Sequence, residues 1–429
     1  MGCDTLVALA PGTRDRVTLF AKNSDRPPRE CQRIVQFPAR RHPSGSTVRC
    51  QYLELPQVDE TAGILGSQPY WLWGLEHGVN QHRVAIGNEM VFARESLGAS
   101  GLTGMDLVRL GLERARTAGE ALAVMTDLLE RHGQGGSGQA HVEWPYHNAF
   151  MIADPLTAWI LETSGRHWAA RRVAEVGNVS NGLAIGADWD RGSRDLTDFA
   201  VARGWWPRDA GRVDFAAAYA DESGVPPNLA GARRRRAAAL LAEACGRLTP
   251  LNMRAILRDH YDAGPVYRPR EFDDEHFFSL CMHADPLDNT TAAMVARLPA
   301  DPSALGTTWV CLGSPCVGAF LPCYPEGTVP DRLARGGAEA DPESPWWRMR
   351  ELLTLVERDF GRWGPVVRAR WDAFEAQLAR EAAGVEAEAE AARRGGRTSA
   401  AAVALTAFME RAVDAYRAEA ERLARELRG

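Results

Sequence analysis

Short runs in which apolar residues dominate or alternate with polar ones open the chain, the pattern of half-buried strands. Thr5-Leu-Val-Ala-Leu-Ala10 and Arg16-Val-Thr-Leu-Phe-Ala-Lys-Asn-Ser-Asp25 flank the turn Pro11-Gly-Thr-Arg-Asp15, so a hairpin is expected. Further strands are expected over 47–55, 61–65 and 83–92. The period then lengthens to that of helices. One helix starts near Thr103 and carries Met105, Leu107, Val108, Leu110 and Leu112; the next runs from 117 to about 132. Thr117-Ala-Gly-Glu120 reads as a capping box. Strands return over 148–153, 158–163 and 167–173, with a loop leading into a strand around 178–185. Helical patterns cover 195–203, 230–248 and 251–260. Four more strands fit 277–282, 290–298, 308–312 and 318–323.

From about Pro345 the pattern is helical. The stretch 381–394 reads as a solvated helix, Gly395-Gly396 breaks it, and 400–427 is amphipathic. Antiparallel-looking strand groups separated by helix pairs predict an α+β fold of two packed sheets with helices outside. The division expected is a catalytic domain over 1–340 and a helical extension over 341–429. The extension is expected to serve as an appendage, a cover or a surface for pairing two copies.

Composition narrows the class. The 429 residues are 45% apolar and 25% charged, with a formal net charge of −6. No broad basic surface for nucleic acid follows, and Arg233-Arg-Arg-Arg236 reads as a helix face or a helix start. Asp4, Arg14 and Asp15 interrupt any secretory apolar segment, and the prolines of 302–325 argue against a membrane span. Eight dispersed cysteines predict free thiols in a reducing cytoplasm.

The candidate chemistry begins at Cys3. A cysteine that becomes the first residue carries a thiol and a free α-amine, a nucleophile with its own base. The amine titrates near ~8 and a free thiol near ~8.5, so part of the amine is uncharged at neutral pH. This requires loss of Met1 and Gly2. A tight hairpin brings Lys22, Asn23 and Asp25 towards Cys3. Asn88, in Ile86-Gly-Asn-Glu89, is an amide donor for an oxyanion, and Ser180-Asn181 offers a second amide. Pro69-Tyr-Trp-Leu-Trp73 places Trp71 and Trp73 at a substrate cleft or in the core. His147 and Glu162 are expected to be structural.

Cys281-Met-His283, Cys311, Cys316 and Cys323 lie in one region, but no Cys-x-x-Cys pair occurs. Cys281 and His283 would share one face of a strand. Structural thiols are expected there, and no metal or other cofactor.

Taken together, Cys3-Asp4, Phe20-Ala-Lys-Asn-Ser-Asp25, Trp71-Leu-Trp-Gly74, Val84-Ala-Ile-Gly-Asn-Glu89 and Gly104-Met-Asp-Leu-Val-Arg-Leu-Gly-Leu-Glu113 resemble the secernin family, grouped with the C69 dipeptidases. His132-Gly-Gln-Gly-Gly136, Ala158-Trp-Ile-Leu-Glu-Thr163 and Thr290-Thr-Ala-Ala-Met294 extend the match. The resemblance implies a four-layer αββα N-terminal-nucleophile hydrolase that cleaves amide bonds of small peptides or N-acyl amides. It further implies Cys3 as nucleophile and amine base, Lys22 where relatives carry Arg, and Asp25 orienting the nucleophile. Asn88 becomes the oxyanion donor, Asn181 holds the N-terminal region, and Arg233 is the late arginine near the thiol. Glu89, Trp71 and Trp73 are the expected substrate contacts. The other readings are a non-catalytic interaction protein on the same fold and an acylase of the penicillin V or bile acid hydrolase type.

Overall fold

The computed structural model describes residues 2–221, 223, 229–261, 278–284 and 287–428. The principal strands begin with β1 Cys3–Ala8, β2 Thr18–Arg26, β3 Gln32–Phe37, β4 Ile64–Pro69, β5 His77–Asn80 and β6 Ala85–Val91. They continue with β7 His147–Ala153, β8 Ala158–Ser164, β9 His167–Arg172 and β10 Val176–Val179. The last are β11 Asp288–Leu298, β12 Thr308–Leu312 and β13 Phe320–Cys323. The principal helices are α1 Gly104–Arg114, α2 Ala118–His132, α3 Gly231–Ala244, α4 Pro250–Leu257, α5 Pro345–Glu357, α6 Phe360–Arg394 and α7 Thr398–Arg428.

One sheet has the order β10-β1-β2-β11-β12-β13, with the short strand His283–Ala284 beside β11. The other runs β9-β8-β7-β6-β5-β4-β3, with Arg191–Gly192 beside β9. These pairings are antiparallel. Strand alternation then sorts the side chains into three apolar layers. Val7, Phe20, Met294 and Val310 meet Leu65, Ala85, Met151 and Ile160 between the sheets. Ile86, Phe150 and Leu161 turn outwards beneath Leu107, Leu110, Leu122 and Met125 of α1 and α2. Leu6, Leu19, Ala293 and Val295 turn outwards beneath Leu241, Met253 and Leu257 of α3 and α4. The result is the four-layer αββα sandwich.

Local signals account for the helix ends. Thr103 and Asp106 form a reciprocal capping box, with Thr103 Oγ1 accepting from Asp106 N at 3.1 Å and Asp106 Oδ2 from Thr103 N at 3.0 Å. At α2 the expected box is only half made. Thr117 Oγ1 accepts from Glu120 N, but the Glu120 carboxylate takes the Arg116 N–H at 2.8 Å instead. Gly133, at φ 70°, ends α2, a conformation with little penalty only for glycine.

Some expected elements move. The 47–55 strand breaks into a small hairpin, Thr47–Arg49 with Glu54–Pro56. Of the 277–282 strand, Phe277 lies outside the described residues, and 278–282 are irregular. β3 and β5 had no clear signal, because β3 mixes polar and apolar residues without a turn cue and β5 is short and contains Gly78.

The C-terminal helical extension from Pro345 covers the core. Trp346, Leu352, Val356, Trp371, Phe408 and Tyr416 belong to the inter-sheet core cluster. Trp346 Nε1 donates to Thr291 O at 2.8 Å, which ties α5 to β11. Glu375 of α6 accepts from Phe320 N at 2.8 Å and pairs with Arg258 and Arg254. Among the described residues no helix is long and apolar enough to cross a membrane.

Candidate active site

The register of β1 on β2 sets the site. Cys3 lies opposite Ser24, Thr5 opposite Lys22 and Val7 opposite Phe20. Val7 and Phe20 face the inter-sheet core, so period two puts Cys3, Thr5 and Lys22 on that same inner face. Asp4, Asn23 and Asp25 turn to the other face, under α3 and α4. There Asn23 Nδ2 donates to Leu257 O at 2.8 Å and to Leu280 O at 2.7 Å.

Both reactive ends of Cys3 are held. Its main-chain N donates to Asn181 Oδ1 at 2.8 Å, and Asn181 Nδ2 in turn donates to Met90 O at 2.8 Å. Its Sγ accepts from the Asp25 N–H at 3.3 Å. The residue is 6% exposed. Gly2 is also enclosed: a Cβ there would sit 2.8 Å from both Arg233 Nη2 and Met282 Cε. No side chain larger than hydrogen fits that position without displacement.

Arg233 is the one member of its run of four that is fully buried. Its Nη1 lies 2.6 Å from Asp4 Oδ2 and 3.4 Å from Asp25 Oδ2, and its Nη2 reaches Asn181 Oδ1. Asp25 Oδ1 accepts from Thr290 Oγ1 at 2.6 Å. Arg236 of the same run pairs instead with Asp259 at 2.7 Å.

On the inner face Lys22 Nζ lies 3.9 Å from Glu76 Oε2, 3.9 Å from Glu89 Oε1 and 3.2 Å from Asn23 O. Thr5 Oγ1 donates to Glu89 Oε1. Arg26, also buried, pairs with Glu30 at 2.6 Å and Glu76 at 3.3 Å, and its Nη1 donates to Tyr146 Oη at 3.3 Å.

The electrostatics follow from burial against charge. Burial pushes the Cys3 thiol up to about 12, and the Lys22 charge is the main influence holding it down. For Lys22 burial acts downwards, but the Cys3, Glu89 and Glu76 charges outweigh it and raise its pKa. Burial lifts Asp25 to about 8 against the pull of Arg233 and Thr290. It lifts Glu89 to about 8 against Lys22.

The structure brings Cys3, Lys22, Glu89, Asp25, Asn181 and Arg233 together, but not Asn88. Gly87 and Glu89 face the first sheet, since a Cβ on Gly87 would meet the Lys22 chain and Thr5 Oγ1. The pleat therefore turns Asn88 outwards, where its side-chain amide lies against Asn148, Met105 and Glu76. Trp73 is likewise an outer-layer residue, with Arg109 stacked 4.1 Å above its ring. Trp71 is half-buried beside Glu30. Glu162 accepts from Ala184 N and Ile185 N at 2.9 Å and so anchors the loop that follows Asn181.

Glu76, Arg26, Glu30, Tyr146, Asp4 and Thr290 were not singled out from sequence. Asp4 could have been, because it shares the pleat parity of Asp25. Separately, His260, Cys281, His283 and Cys316 converge, and their spacing carries no motif.

The arrangement joins a held thiol to a held main-chain nitrogen, with a buried cation on the thiol's face and an arginine on the nitrogen's face. That is a layout for acyl transfer to sulfur. Two relatives named "Probable dipeptidase A", from Streptococcus pyogenes, match the chain. The one from serotype M3 (strain SSI-1) is 23% identical, covering 83% of this chain and 83% of its own length. The one from serotype M18 (strain MGAS8232) is 24% identical, covering 68% and 67%. Among solved structures, a mutant conjugated bile acid hydrolase from Clostridium perfringens is similar at 13% identity and a TM-score of 0.37, covering 71% of this chain and 88% of that one. Peptidase family C69 matches residues 18–234, half of the chain and the part that carries β2, the second sheet and Arg233, and this chain belongs to that family of cysteine-nucleophile amidohydrolases.

Proposed function

We propose that the chain is a dipeptidase whose nucleophile is Cys3, exposed as the first residue when the residues before it are removed. The observation that carries this reading is the double grip on Cys3: nitrogen on Asn181 and sulfur on the Asp25 N–H. Once Gly2 has gone, that nitrogen becomes an α-amine. Uncharged, it takes the thiol proton as Sγ adds to the scissile carbonyl. The C–N bond then breaks, the new ammonium protonates the leaving amine, and a thioester remains. Water, giving a proton back to the amine, adds to the thioester and releases the acid and the free thiol.

Lys22, on the inner face, is the charge that favours the thiolate. Glu89 and Glu76 hold that ammonium, and Arg233 holds Asp4, Asp25 and Asn181 in place. Departure of Gly2 empties the space between Arg233 and Met282, beside the nucleophile. The dipeptide preference rests on the names of the two relatives that match most of the chain. A secernin-like intracellular protein fits the same reading.

The test is a hydrolysis panel of dipeptides and N-acyl amides. Cys3→Ala is expected to lose turnover with its circular dichroism and unfolding midpoint unchanged. Undiminished dipeptide cleavage by that variant would sink the mechanism. Cleavage of acylated amines alone would replace the substrate class.

A further inference from the structure

A second cluster of reactive side chains lies apart from the hairpin. His260 follows α4, Cys281 and His283 sit in the segment that leads to β11, and Cys316 sits in the turn between β12 and β13. One ligand atom from each lies within 4.8 Å of every other. Cys281, His283 and Cys316 are buried, and His260 is half-buried. His283 Nε2 is 3.4 Å from Cys281 Sγ and 3.2 Å from Cys316 Sγ. A tetrahedral Zn2+ with bonds of ~2.3 Å to sulfur and ~2.0–2.1 Å to nitrogen sets its N and S ligands roughly 3.6 Å apart. The four atoms therefore stand close to the required shell, with only small outward adjustment.

We propose that His260, Cys281, His283 and Cys316 bind a structural Zn2+ as a closed two-thiolate, two-imidazole site. Binding releases the protons of the two thiols, and the two thiolates balance the ion's charge, so the buried site carries no net charge. Four protein ligands leave no open position, so the role is bracing rather than catalysis. Glu357, at the end of α5, places Oε1 3.8 Å from His283 Nδ1, where an outer carboxylate orients a ligating imidazole.

The consequence reaches the hairpin. Met282, between two ligands, sits against Gly2. Its N–H is donated at 2.8 Å to Thr290 Oγ1, the same hydroxyl that donates to Asp25. An ion here would fix 278–284 to the end of α4, where Cys281 N already donates to Asp259 O at 3.1 Å. It would thereby set the wall beside Cys3. Sequence spacing hides the site because its ligands come from three separated segments, Cys316 lying 33 positions beyond His283.

The experiment uses the full chain. Zinc is measured by mass spectrometry after desalting, and metal-free protein is titrated with Co2+. About one zinc per chain is expected, and Co2+ should show tetrahedral ligand-field bands with thiolate charge transfer. Cys281→Ser and Cys316→Ser should lose the zinc, whereas Cys245→Ser, outside the cluster, should keep it. Glu357→Gln should weaken affinity by roughly 10–100-fold. Parent protein that takes up neither ion overturns the proposal, and that reading needs no variant to fold. So does zinc retained in full by both serine variants, or a Cys281–Cys316 disulfide found in freshly purified protein by thiol counting.

Discussion

Arg233 shows what single residues contribute here. Its guanidinium has no exposure, and it pairs with Asp4 and Asp25 on one side while holding Asn181 on the other. Removing one partner of a buried ion pair leaves an uncompensated charge and costs about 3–5 kcal/mol. Arg233→Ala should show that loss in urea unfolding, while Arg235→Ala, on the exposed face of α3, should move stability by less than ~0.5 kcal/mol. Glu89 gives a pH test. The folded chain holds its carboxyl near about 8, whereas an unfolded one titrates near ~4.3. The folded state thus binds a proton that the unfolded state releases between those values, so this group's contribution to stability falls as pH rises through the window. Glu89→Gln should flatten the decline in thermal midpoint between about pH 5 and about pH 8. The hairpin made Cys3, Lys22 and Asp25 legible as neighbours. Arg233 was named only through the family resemblance; the 3.6-period spacing from Ala237 and Leu241, with which it shares a buried stripe, is the signal that could have fixed its register. Asn88 shares its pleat parity with Ile86, an outer-layer residue, which its motif alone does not announce.

At the scale of elements, the clear signals were those written locally. Capping residues and apolar periodicity gave α1 and α2, and alternation gave β7, β8, β11 and β12. Long-range features were hidden: β3 and β5 exist because β4 pairs with both, which their own residues do not announce. The same holds for the convergence of His260 with Cys281, His283 and Cys316. Close backbone approaches can be tested directly. A Cβ on Gly74 would overlap the backbone of Met105 and Asp106, at the start of α1. Gly74→Ala should therefore push α1 off the second sheet and cost about 1–3 kcal/mol, read from the denaturant midpoint. Phe20→Ala, in the middle of the inter-sheet core, should cost roughly 3–5 kcal/mol by the same measurement.

At the scale of the whole molecule, the C-terminal helical extension is packed into the sandwich. The helices from Pro345 supply core tryptophans and a buried carboxylate to the sandwich. Glu375 faces Arg254, Arg258 and the Phe320 N–H. Glu375→Ala should destabilise the whole chain by about 3–5 kcal/mol in a single unfolding transition, because both arginines lose their anion. A separate early transition for the helices would show instead that they form an independent unit. The sequence pointed to helices there and left appendage, cover and pairing surface open, since long amphipathic helices read alike whether they cover a core or face water.

All of this bears on one residue's amino group. The direct measurement is the N-terminal sequence of protein fractionated for dipeptide hydrolysis, with the Cys3 thiol mapped by alkylation in the same fractions. The predicted result is that active fractions begin at Cys3 and lose activity as that thiol is alkylated. Full turnover from a chain that still carries Gly2 would contradict it.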